Sequence, residues 1–195
     1  MRKPILHSWS FKTDQINSYA WIDEFLSEKE CDQIVKFNKS KTRKGRVNKD
    51  DKVNEKIRNS YIKFLSPDAT HAWLFKRLSS AILDLNNKYF NFDITGLLEG
   101  IQYTNYKTGE GHYQRHVDCM FDGIVRKLSI SIQLTDPTKY EGGDLNLYWS
   151  DDPVTMKKNK GSLFIFPSYM LHEVTPVTKG ERNSLVCWVN GPQFK

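Results

Sequence analysis

The sequence has few cysteines, no long apolar run, no internal repeat and no low-complexity segment. Its three cysteines, Cys31, Cys119 and Cys187, are odd in number and lie far apart, which excludes a disulfide framework and a CxxC zinc site. The opening residues, MRKPILHSWSFK, contain no stretch apolar enough for a signal peptide, and no later segment approaches the length of a membrane span. These absences predict a cytoplasmic protein without a membrane partner.

The composition is that of one folded domain. Apolar residues make up 38% and aromatic residues 13% of the 195 positions, which is too rich for a disordered chain. A chain of this length can bury a full hydrophobic core. We therefore expect a single domain over residues 1–195 with one functional site.

The positive charge is concentrated in one stretch. Between Lys36 and Lys63 the chain has eleven lysines or arginines and three carboxylates, while the net charge of the whole chain is +6. Such a stretch can attract nucleic acid or an acidic partner. Residues 38–56 include no aromatic side chain on which a base could stack. We interpret this segment as a mobile, solvated loop, and a nucleic-acid partner is disfavoured without being excluded.

Residues 1–94 carry two helical patterns. Ser27 and Glu30 form a capping box in front of apolar residues at near-helical spacing, which predicts a helix. Ser66 and Pro67 have the composition of the cap and first turn of a second helix. The apolar stripe of this second helix, typical of a face buried in the core, consists of Leu74, Leu78, Ala81, Ile82, Leu85 and Tyr89.

Beyond Asp93 the pattern changes to short β segments separated by turn residues. Many short strands without helices between them predict a mainly β sandwich, barrel or jelly roll. The predicted strands cover residues 97–106, 112–118, 127–135, 144–149, 161–167, 172–177 and 182–190.

Apolar and polar residues alternate most regularly at 128–135, LSISIQLT. The apolar face of this strand is expected to belong to the core. Its polar face, with Ser129, Ser131, Gln133 and Thr135, either meets solvent or lines a ligand cavity in a barrel wall.

A histidine precedes an aspartate by two positions at His116-x-Asp118. In a strand these two side chains lie on the same side, with backbones roughly 6 to 7 Å apart, so they can converge on one metal ion. With five histidines and 23 carboxylates in the chain, one such pair can also arise by chance. His172 is the best candidate for a third ligand, because it opens a predicted strand directly after a turn.

Arg182 and Ser184 follow ten residues after His172 and share one face of the last predicted strand. On the surface this arginine would need no ligand, but buried at the end of a cavity it would suit a carboxylate, because its planar fork binds both oxygens. Two histidines and one carboxylate that leave open positions on one side are the ligands of non-haem Fe(II) oxygenases. The arginine supplies what their 2-oxo acid cosubstrate needs.

This order of residues, His-x-Asp, then histidine, then Arg-x-Ser, resembles the Fe(II)/2-oxoglutarate-dependent dioxygenases. Within them it resembles the prolyl 4-hydroxylase branch, which includes the bacterial PKHD-type hydroxylases and the hypoxia-factor prolyl hydroxylases. The likeness is close over residues 101–190 and looser at Phe25–Cys31 and Arg58–Ser60. It rests on the phrases at 102–109, 113–118, 126–131, 134–137, 140–145, 161–167, 172–176 and 182–188.

The resemblance implies a double-stranded β-helix, a jelly-roll or cupin-like fold, in which helices within residues 1–94 support a catalytic core at residues 95–195. Iron would be held by His116, Asp118 and His172, and the distal carboxylate of 2-oxoglutarate by Arg182 and Ser184. The other residues expected in or near this pocket are Tyr103, Tyr106, Tyr113, Ser131 and Gln133.

Gln133 marks a departure from the family pattern. Some prolyl hydroxylases have a tyrosine at this place that touches the cosubstrate carboxylate. The amide of Gln133 can still donate a hydrogen bond. This comparison favours the cavity interpretation of the polar face that Gln133 shares with Ser129 and Ser131.

The implied enzyme uses Fe(II), O2 and 2-oxoglutarate, with ascorbate as reductant, and releases succinate and CO2. The expected partner is a peptide or protein that contains proline, and residues 38–56 are expected to form a lid that favours acidic or polar substrates. One alternative keeps the chemistry but acts on a free amino acid, another small molecule or a nucleobase. Another is a cupin-like module that holds a structural metal without turnover.

Overall fold

A computed structural model of the chain describes residues 17–46, 53–109, 111–118 and 123–193. These residues form two α-helices, α1 (Glu28–Asn38) and α2 (Ala72–Leu85), and thirteen strands. In chain order the strands are β1 (Ala20–Ile22), β2 (Arg43–Lys44), β3 (Arg58–Asn59), β4 (Tyr61–Leu65), β5 (Ile101–Lys107), β6 (His112–His116), β7 (Val125–Gln133), β8 (Tyr140–Gly142), β9 (Leu145–Tyr148), β10 (Val154–Thr155), β11 (Leu163–Pro167), β12 (Leu171–Val174) and β13 (Val177–Gly191).

The strands form two antiparallel sheets that face each other. The larger sheet has the order β1-β11-β7-β13-β5-β4-β2, and β8 pairs with the first part of β13. The smaller sheet has the order β10-β9-β12-β6-β3. Apolar side chains from β5 and β11 of the larger sheet pack with those of β9 and β12 between the two sheets. This architecture is a double-stranded β-helix, as expected from the resemblance.

Helix α1 begins where the capping box predicts. The hydroxyl of Ser27 accepts from the backbone N–H of Glu30, and the Glu30 carboxylate accepts from the backbone N–H of Ser27. Both contacts satisfy N–H groups that the first helical turn leaves without partners. Cys31 and Ile34 on the inner face of this helix are buried, whereas Phe37 is exposed.

Helix α2 begins five residues later than predicted. Ser66 and Pro67 precede a turn in which the carboxylate of Asp68 accepts from the backbone N–H groups of Thr70 and His71. Because Asp68 supplies the side-chain acceptor for this turn, the first helical residue is Ala72. The predicted apolar stripe is confirmed, and the residues of α2 that are buried are Leu74, Leu78, Ile82 and Leu85.

Both helices pack on the outer face of the larger sheet. Their apolar faces pack against Leu128, Ile130 and Ile132 of β7. The residues of β5, β11 and β13 on the same face of the sheet complete this hydrophobic core. Cys31 and Cys187 are free and buried in this core, while Cys119 lies outside the described residues. The helices therefore support the sheet on the side away from the space between the sheets.

The seven predicted strands are all present, with shifts of a few residues at their ends. The strand that the resemblance predicted to start at Arg58 is present as β3 and β4, whereas the short strands β1, β2, β8 and β10 were not predicted. Part of the basic segment that we interpreted as a loop is structured, because Lys39–Lys41 form a 3-10 turn and β2 pairs with β4. Residues 47–52 of that segment lie outside the described residues.

In the part of the chain that the structure describes, neither helix has the length and apolar character needed to span a bilayer.

Candidate active site

The predicted metal ligands lie on neighbouring strands of the smaller sheet. His116 ends β6, and it is paired directly with His172 on β12. Asp118 follows β6 by two positions, and its backbone N–H donates to the carbonyl of Ser168. The pairing of β6 with β12 therefore brings together side chains that are far apart along the chain.

The three side chains converge on one point. His116 Nε2 lies 3.5 Å from Asp118 Oδ1, and His172 Nε2 lies 3.4 Å from Asp118 Oδ2. One potential ligand atom from each residue lies within 4.8 Å of the other two. Within the described residues this is the one group of His, Cys, Asp and Glu side chains whose spacing suits a metal ion.

Both histidines are oriented through their second ring nitrogen. His116 Nδ1 lies 2.7 Å from the carbonyl of Gln114, and His172 Nδ1 lies 2.9 Å from the carbonyl of Met170. A carbonyl only accepts, so each Nδ1 carries a hydrogen and donates it. In a neutral ring Nε2 then presents a lone pair, and both lone pairs face the carboxylate of Asp118. Such a donor set fits a cation, and its composition suits Fe(II).

The charges of the cluster favour an ionised Asp118. Burial alone would raise the pKa of this carboxyl, but His172 and His116 hold the pKa well below its ordinary value. Burial lowers the pKa of His116. Burial opposes protonation of His172 as well, but the charge of Asp118 raises the pKa of this imidazole. A carboxylate that is already ionised is ready to bind a metal ion.

Ser129 supports Asp118, a role for which the sequence offered no signal. Its hydroxyl donates to Asp118 Oδ2 at 2.8 Å and lies 2.9 Å from the hydroxyl of Ser168. The alternation of β7 places Ser129 on the polar face of that strand. The contact with Asp118 depends on the packing of β7 against the end of β6, which local sequence does not reveal.

Arg182 is buried between the sheets and is 1% exposed. It is paired across β13 and β5 with Tyr106, whose ring centre lies 5.5 Å from the guanidinium carbon. Its Nη1 donates to Ser184 Oγ over a long 3.4 Å contact. Its Nε and Nη2 are buried and have no hydrogen-bond partner among the described residues.

A buried guanidinium with two unused donors is a binding site for an anion. An unpaired charge inside a protein is strongly disfavoured, so a ligand that neutralises it binds there with a large gain. Asp144 is close enough to be affected by Arg182, but its carboxylate is bound to Lys158 and Thr175. The planar fork of Arg182 has the geometry that binds a carboxylate through both oxygens.

The polar face of β7 lines the space between the sheets. Ser129 and Ser131 are paired with Phe166 and Phe164 of β11, which pack into the core between the sheets. Gln133 is paired with Ser184 on β13. Residues directly opposite on antiparallel strands point to the same face. The structure therefore supports the cavity interpretation of this polar face over the solvent interpretation.

Two of the three predicted tyrosines border the same space. Tyr113 stacks on the ring of His116 with the ring centres 3.6 Å apart, and Tyr106 lies beside Arg182. Burial raises the pKa of Tyr113 to about 12 and also raises the pKa of Tyr106. Both hydroxyls are therefore protonated near neutral pH and can donate. Arg58, which the sequence did not single out as a site residue, covers the Tyr113 ring at 4.8 Å.

Tyr103 does not line this cavity, which corrects the prediction from the sequence. It is paired with Leu185 and packs in the core under the helices. Its hydroxyl donates to Asn183 Oδ1 at 2.6 Å. Tyr103 and Tyr106 are three positions apart in one strand, and an odd separation directs the two side chains to opposite faces.

A double-stranded β-helix that carries two histidines, a carboxylate and a buried arginine between its sheets has the site of a non-haem iron oxygenase that uses a 2-oxo acid. Comparison with known families agrees with this class. Residues 101–190 match the model of the 2OG-Fe(II) oxygenase superfamily. This match supports a 2-oxoglutarate-dependent oxygenase that uses Fe(II) and O2.

Curated proteins to which the chain is similar include PKHD-type hydroxylases. The chain is 32% identical over 139 residues to a PKHD-type hydroxylase from Sphingopyxis alaskensis, and the alignment covers 67% of this chain and 63% of the relative. The chain thus spans less than two thirds of the length of the first curated relatives that it matches.

Solved prolyl hydroxylases have the same fold. A prolyl-4-hydroxylase from Pseudomonas putida has a TM-score of 0.73 and 19% identity, with 90% of this chain and 94% of that chain covered. A prolyl hydroxylase from Trichoplax adhaerens, in complex with a peptide fragment of the hypoxia-inducible factor oxygen degradation domain, has a TM-score of 0.75 and 23% identity. That comparison covers 89% of this chain and 84% of the other.

Proposed function

We propose that this chain is a 2-oxoglutarate-dependent dioxygenase that hydroxylates a prolyl residue in a peptide or protein and releases succinate and CO2. The observation that carries the proposal is the presence, between one pair of sheets, of three converging metal-ligand side chains and a buried arginine with unused donors. The PKHD-type relatives and the peptide held by one structural neighbour support a prolyl substrate.

In this proposal His116, Asp118 and His172 bind Fe(II) through Nε2, a carboxylate oxygen and Nε2. When bound, the ferrous ion supplies the activation of O2 that is coupled to the oxidative decarboxylation of 2-oxoglutarate. The hydrogen bonds from Nδ1 to backbone carbonyls keep both imidazoles aimed at the ion. Ser129 holds one oxygen of Asp118 and thereby limits how the carboxylate can rotate.

Arg182 binds the distal carboxylate of 2-oxoglutarate through its two unused donors. Ser184 holds the remaining side of the guanidinium, and Gln133 and Ser131 line the neighbouring wall on β7. Tyr106 and Tyr113 line the cavity between Arg182 and the histidine cluster. Phe164 and Phe166 lie beside this wall on the neighbouring strand β11 and exclude water, which strengthens the charged contacts.

The same proposal gives different roles to the two parts of the chain. The helices within residues 1–94 act as support on the outer face of the larger sheet, and residues 95–195 carry the chemistry. The core under the helices and the space between the sheets lie on opposite faces of the same strands. A change in the helix core is therefore expected to alter stability more than chemistry.

The test is a turnover assay with the purified chain, Fe(II), ascorbate and 2-oxoglutarate. One arm contains a library of peptides with proline, and a matched arm replaces each proline by alanine. We expect succinate and peptides with one added oxygen in the proline arm only, and loss of both with His116→Ala. Succinate stimulated by free proline or by an oligonucleotide, and not by peptides, would favour the small-molecule or nucleobase alternative. No succinate under any condition would favour a metal-binding module without turnover.

A further inference from the structure

Tyr140 is a buried tyrosine that the proposed function leaves without a role. Its side chain is 4% exposed, and its hydroxyl has no hydrogen-bond partner among the described residues. It opens β8 and is paired with Gly180 on β13, two positions before Arg182. A phenol hydroxyl withdrawn from water without a partner is disfavoured, so this group needs an explanation.

Gly143 shows that Tyr140 and Arg182 border the same small space. A Cβ at position 143 would lie 3.0 Å from Arg182 Cδ and 3.4 Å from Tyr140 Cε2, the ring atom next to the carbon that bears the hydroxyl. Gly143 also has a φ of +62°, which favours glycine. The absence of a side chain at this turn lets the tyrosine and the arginine approach each other from neighbouring strands.

The other charges near Tyr140 are already compensated. Lys158 Nζ lies 5.1 Å from the ring centre of Tyr140, but it donates to the carbonyl of Gly142 at 2.7 Å and pairs with Asp144 at 2.7 Å. Arg182 has no comparable acidic partner among the described residues. An anion that enters this space would therefore find one uncompensated guanidinium and, next to it, one unused hydroxyl.

We propose that the Tyr140 hydroxyl donates a hydrogen bond to the distal carboxylate of 2-oxoglutarate, beside the guanidinium of Arg182. This inference rests on the proposed function, in which Arg182 binds that carboxylate. A carboxylate offers about four acceptor positions, of which a bidentate arginine uses two. The hydroxyl of Tyr140 fills a third and finds its own missing partner in the same contact.

The proposed role of Tyr140 also bears on Gln133, which stands where some prolyl hydroxylases have a tyrosine that touches the cosubstrate carboxylate. The Oε1 of Gln133 is buried and has no partner among the described residues. This oxygen only accepts, so it cannot bond a carboxylate, and the amide can contribute through Nε2 alone. Tyr140 lies on β8 beside the Arg182 side chain, where it supplies the phenol donor that β7 lacks at position 133.

The test compares two ligands of equal chain length on the protein loaded with Mn(II). 2-Oxoglutarate carries the distal carboxylate, and 2-oxopentanoate has a methyl group in its place. We expect Tyr140→Phe to raise the Kd of 2-oxoglutarate about ten- to hundredfold, as measured by calorimetry, because it removes a hydrogen bond to a charged group. The Kd of 2-oxopentanoate is expected to stay within about twofold of the wild-type value.

Tyr103→Phe is the matched control, because Tyr103 is an equally buried tyrosine on the opposite face of the larger sheet. We expect it to leave both Kd values unchanged. Wild-type affinity of Tyr140→Phe for 2-oxoglutarate would overturn the inference, and so would equal weakening of both ligands, since a packing defect acts on both. Failure of the wild-type protein to bind 2-oxoglutarate would instead reject the proposed function itself.

A second measurement keeps the inference testable should Tyr140→Phe fail to fold. In wild-type protein labelled with carbon-13 at the tyrosine Cζ, 2-oxoglutarate is expected to shift the Tyr140 resonance, and 2-oxopentanoate is expected to leave it in place. The same shift with both ligands, or with neither, would overturn the assignment of the hydroxyl to the distal carboxylate.

Discussion

At the scale of the residue, the candidate site contains two kinds of groups. Some are proposed to bind a ligand, and others orient those side chains through hydrogen bonds. The Nε2 atoms of His116 and His172 point at Asp118, while their Nδ1 atoms are occupied by backbone carbonyls. Asp118 is held in turn by Ser129. Two consequences can be measured, one for the metal site and one for the anion site.

The first concerns the hydroxyl that holds Asp118. Ser129→Ala is expected to weaken Mn(II) binding about ten- to hundredfold, because the groups that orient a metal ligand contribute about that much to affinity. Ser129→Thr retains the hydroxyl and is expected to keep most of the affinity. Competition with a chelator of known affinity measures both variants. Equal affinities for the alanine, threonine and wild-type proteins would show that this hydroxyl does not position Asp118.

The second concerns the unpaired charge of Arg182. In the ligand-free protein this guanidinium is buried with two donors unused. Arg182→Met is therefore expected to leave the free energy of unfolding unchanged or to raise it by about 1 to 4 kcal/mol. Urea unfolding without ligand measures this effect.

The same substitution is expected to weaken 2-oxoglutarate binding by about 2 to 5 kcal/mol, because a buried charge-assisted contact is lost. Calorimetry on the Mn(II)-loaded variant measures this loss. A destabilised ligand-free protein with unchanged 2-oxoglutarate affinity would mean that Arg182 supports the fold and does not bind the cosubstrate.

At the scale of the element, the two helices are joined to each other as well as to the sheet. Glu30 accepts two hydrogen bonds from Arg77 of α2 while it completes the capping box of α1. The hydrogen bonds from Arg77 are the main reason why the pKa of Glu30 is lowered from 4.5 to about 2. One carboxylate thus couples the start of α1 to the middle of α2.

Glu30→Gln tests this coupling, because glutamine can still serve in a capping box and only the charge is lost. We expect the free energy of unfolding to fall by about 1 kcal/mol at pH 7, a value reduced for the partial exposure of the pair. The folded pKa lies below the unfolded pKa, so the charge stabilises the fold fully above about pH 4.5. The difference between variant and wild type should shrink as the pH falls towards about 2. Urea titrations over this range would contradict the coupling if the difference stayed constant.

At the scale of the whole molecule, one sheet serves two cores. Its outer face packs against the helices, and its inner face, with the smaller sheet, encloses the candidate site. Successive side chains of β5, β7 and β13 therefore point alternately to the helix core and to the space between the sheets. In the proposed function the ligands bind between the sheets, so their binding should stabilise the fold as a unit.

Thermal unfolding measures that linkage. With Mn(II) present and 2-oxoglutarate at about 100 times its Kd, we expect a gain of about 2.7 kcal/mol. For a chain of this size the gain corresponds to a rise in Tm of about 5 to 10 °C. Tyr103→Phe is expected to lower the starting Tm and keep the rise, whereas Asp118→Ala is expected to lose it. An unchanged wild-type Tm at saturating ligand would contradict binding between the sheets.

Local sequence was enough to predict the features that depend on short spacing. The capping box located α1, the alternation of β7 separated its two faces, and the i, i+2 pairs put His116 with Asp118 and Arg182 with Ser184. The alternation of side chains along β5 should have excluded Tyr103 from the cavity, because Tyr103 lies an odd number of residues from Tyr106. The turn before His172 made it the best candidate for the third ligand, and the motif resemblance added the expected fold and chemistry.

Tertiary structure alone decided which distant groups meet. The short strands β2, β3 and β8 exist because a neighbour pairs with them, and their own residues carry no strand pattern. Ser168 meets Ser129 beside Asp118, and Gly143 lets Tyr140 approach Arg182, only after the strands have been brought together. Periodicity reports which way a side chain points relative to its own backbone. It holds no information on what stands opposite, because that contact is made by residues far away in the chain.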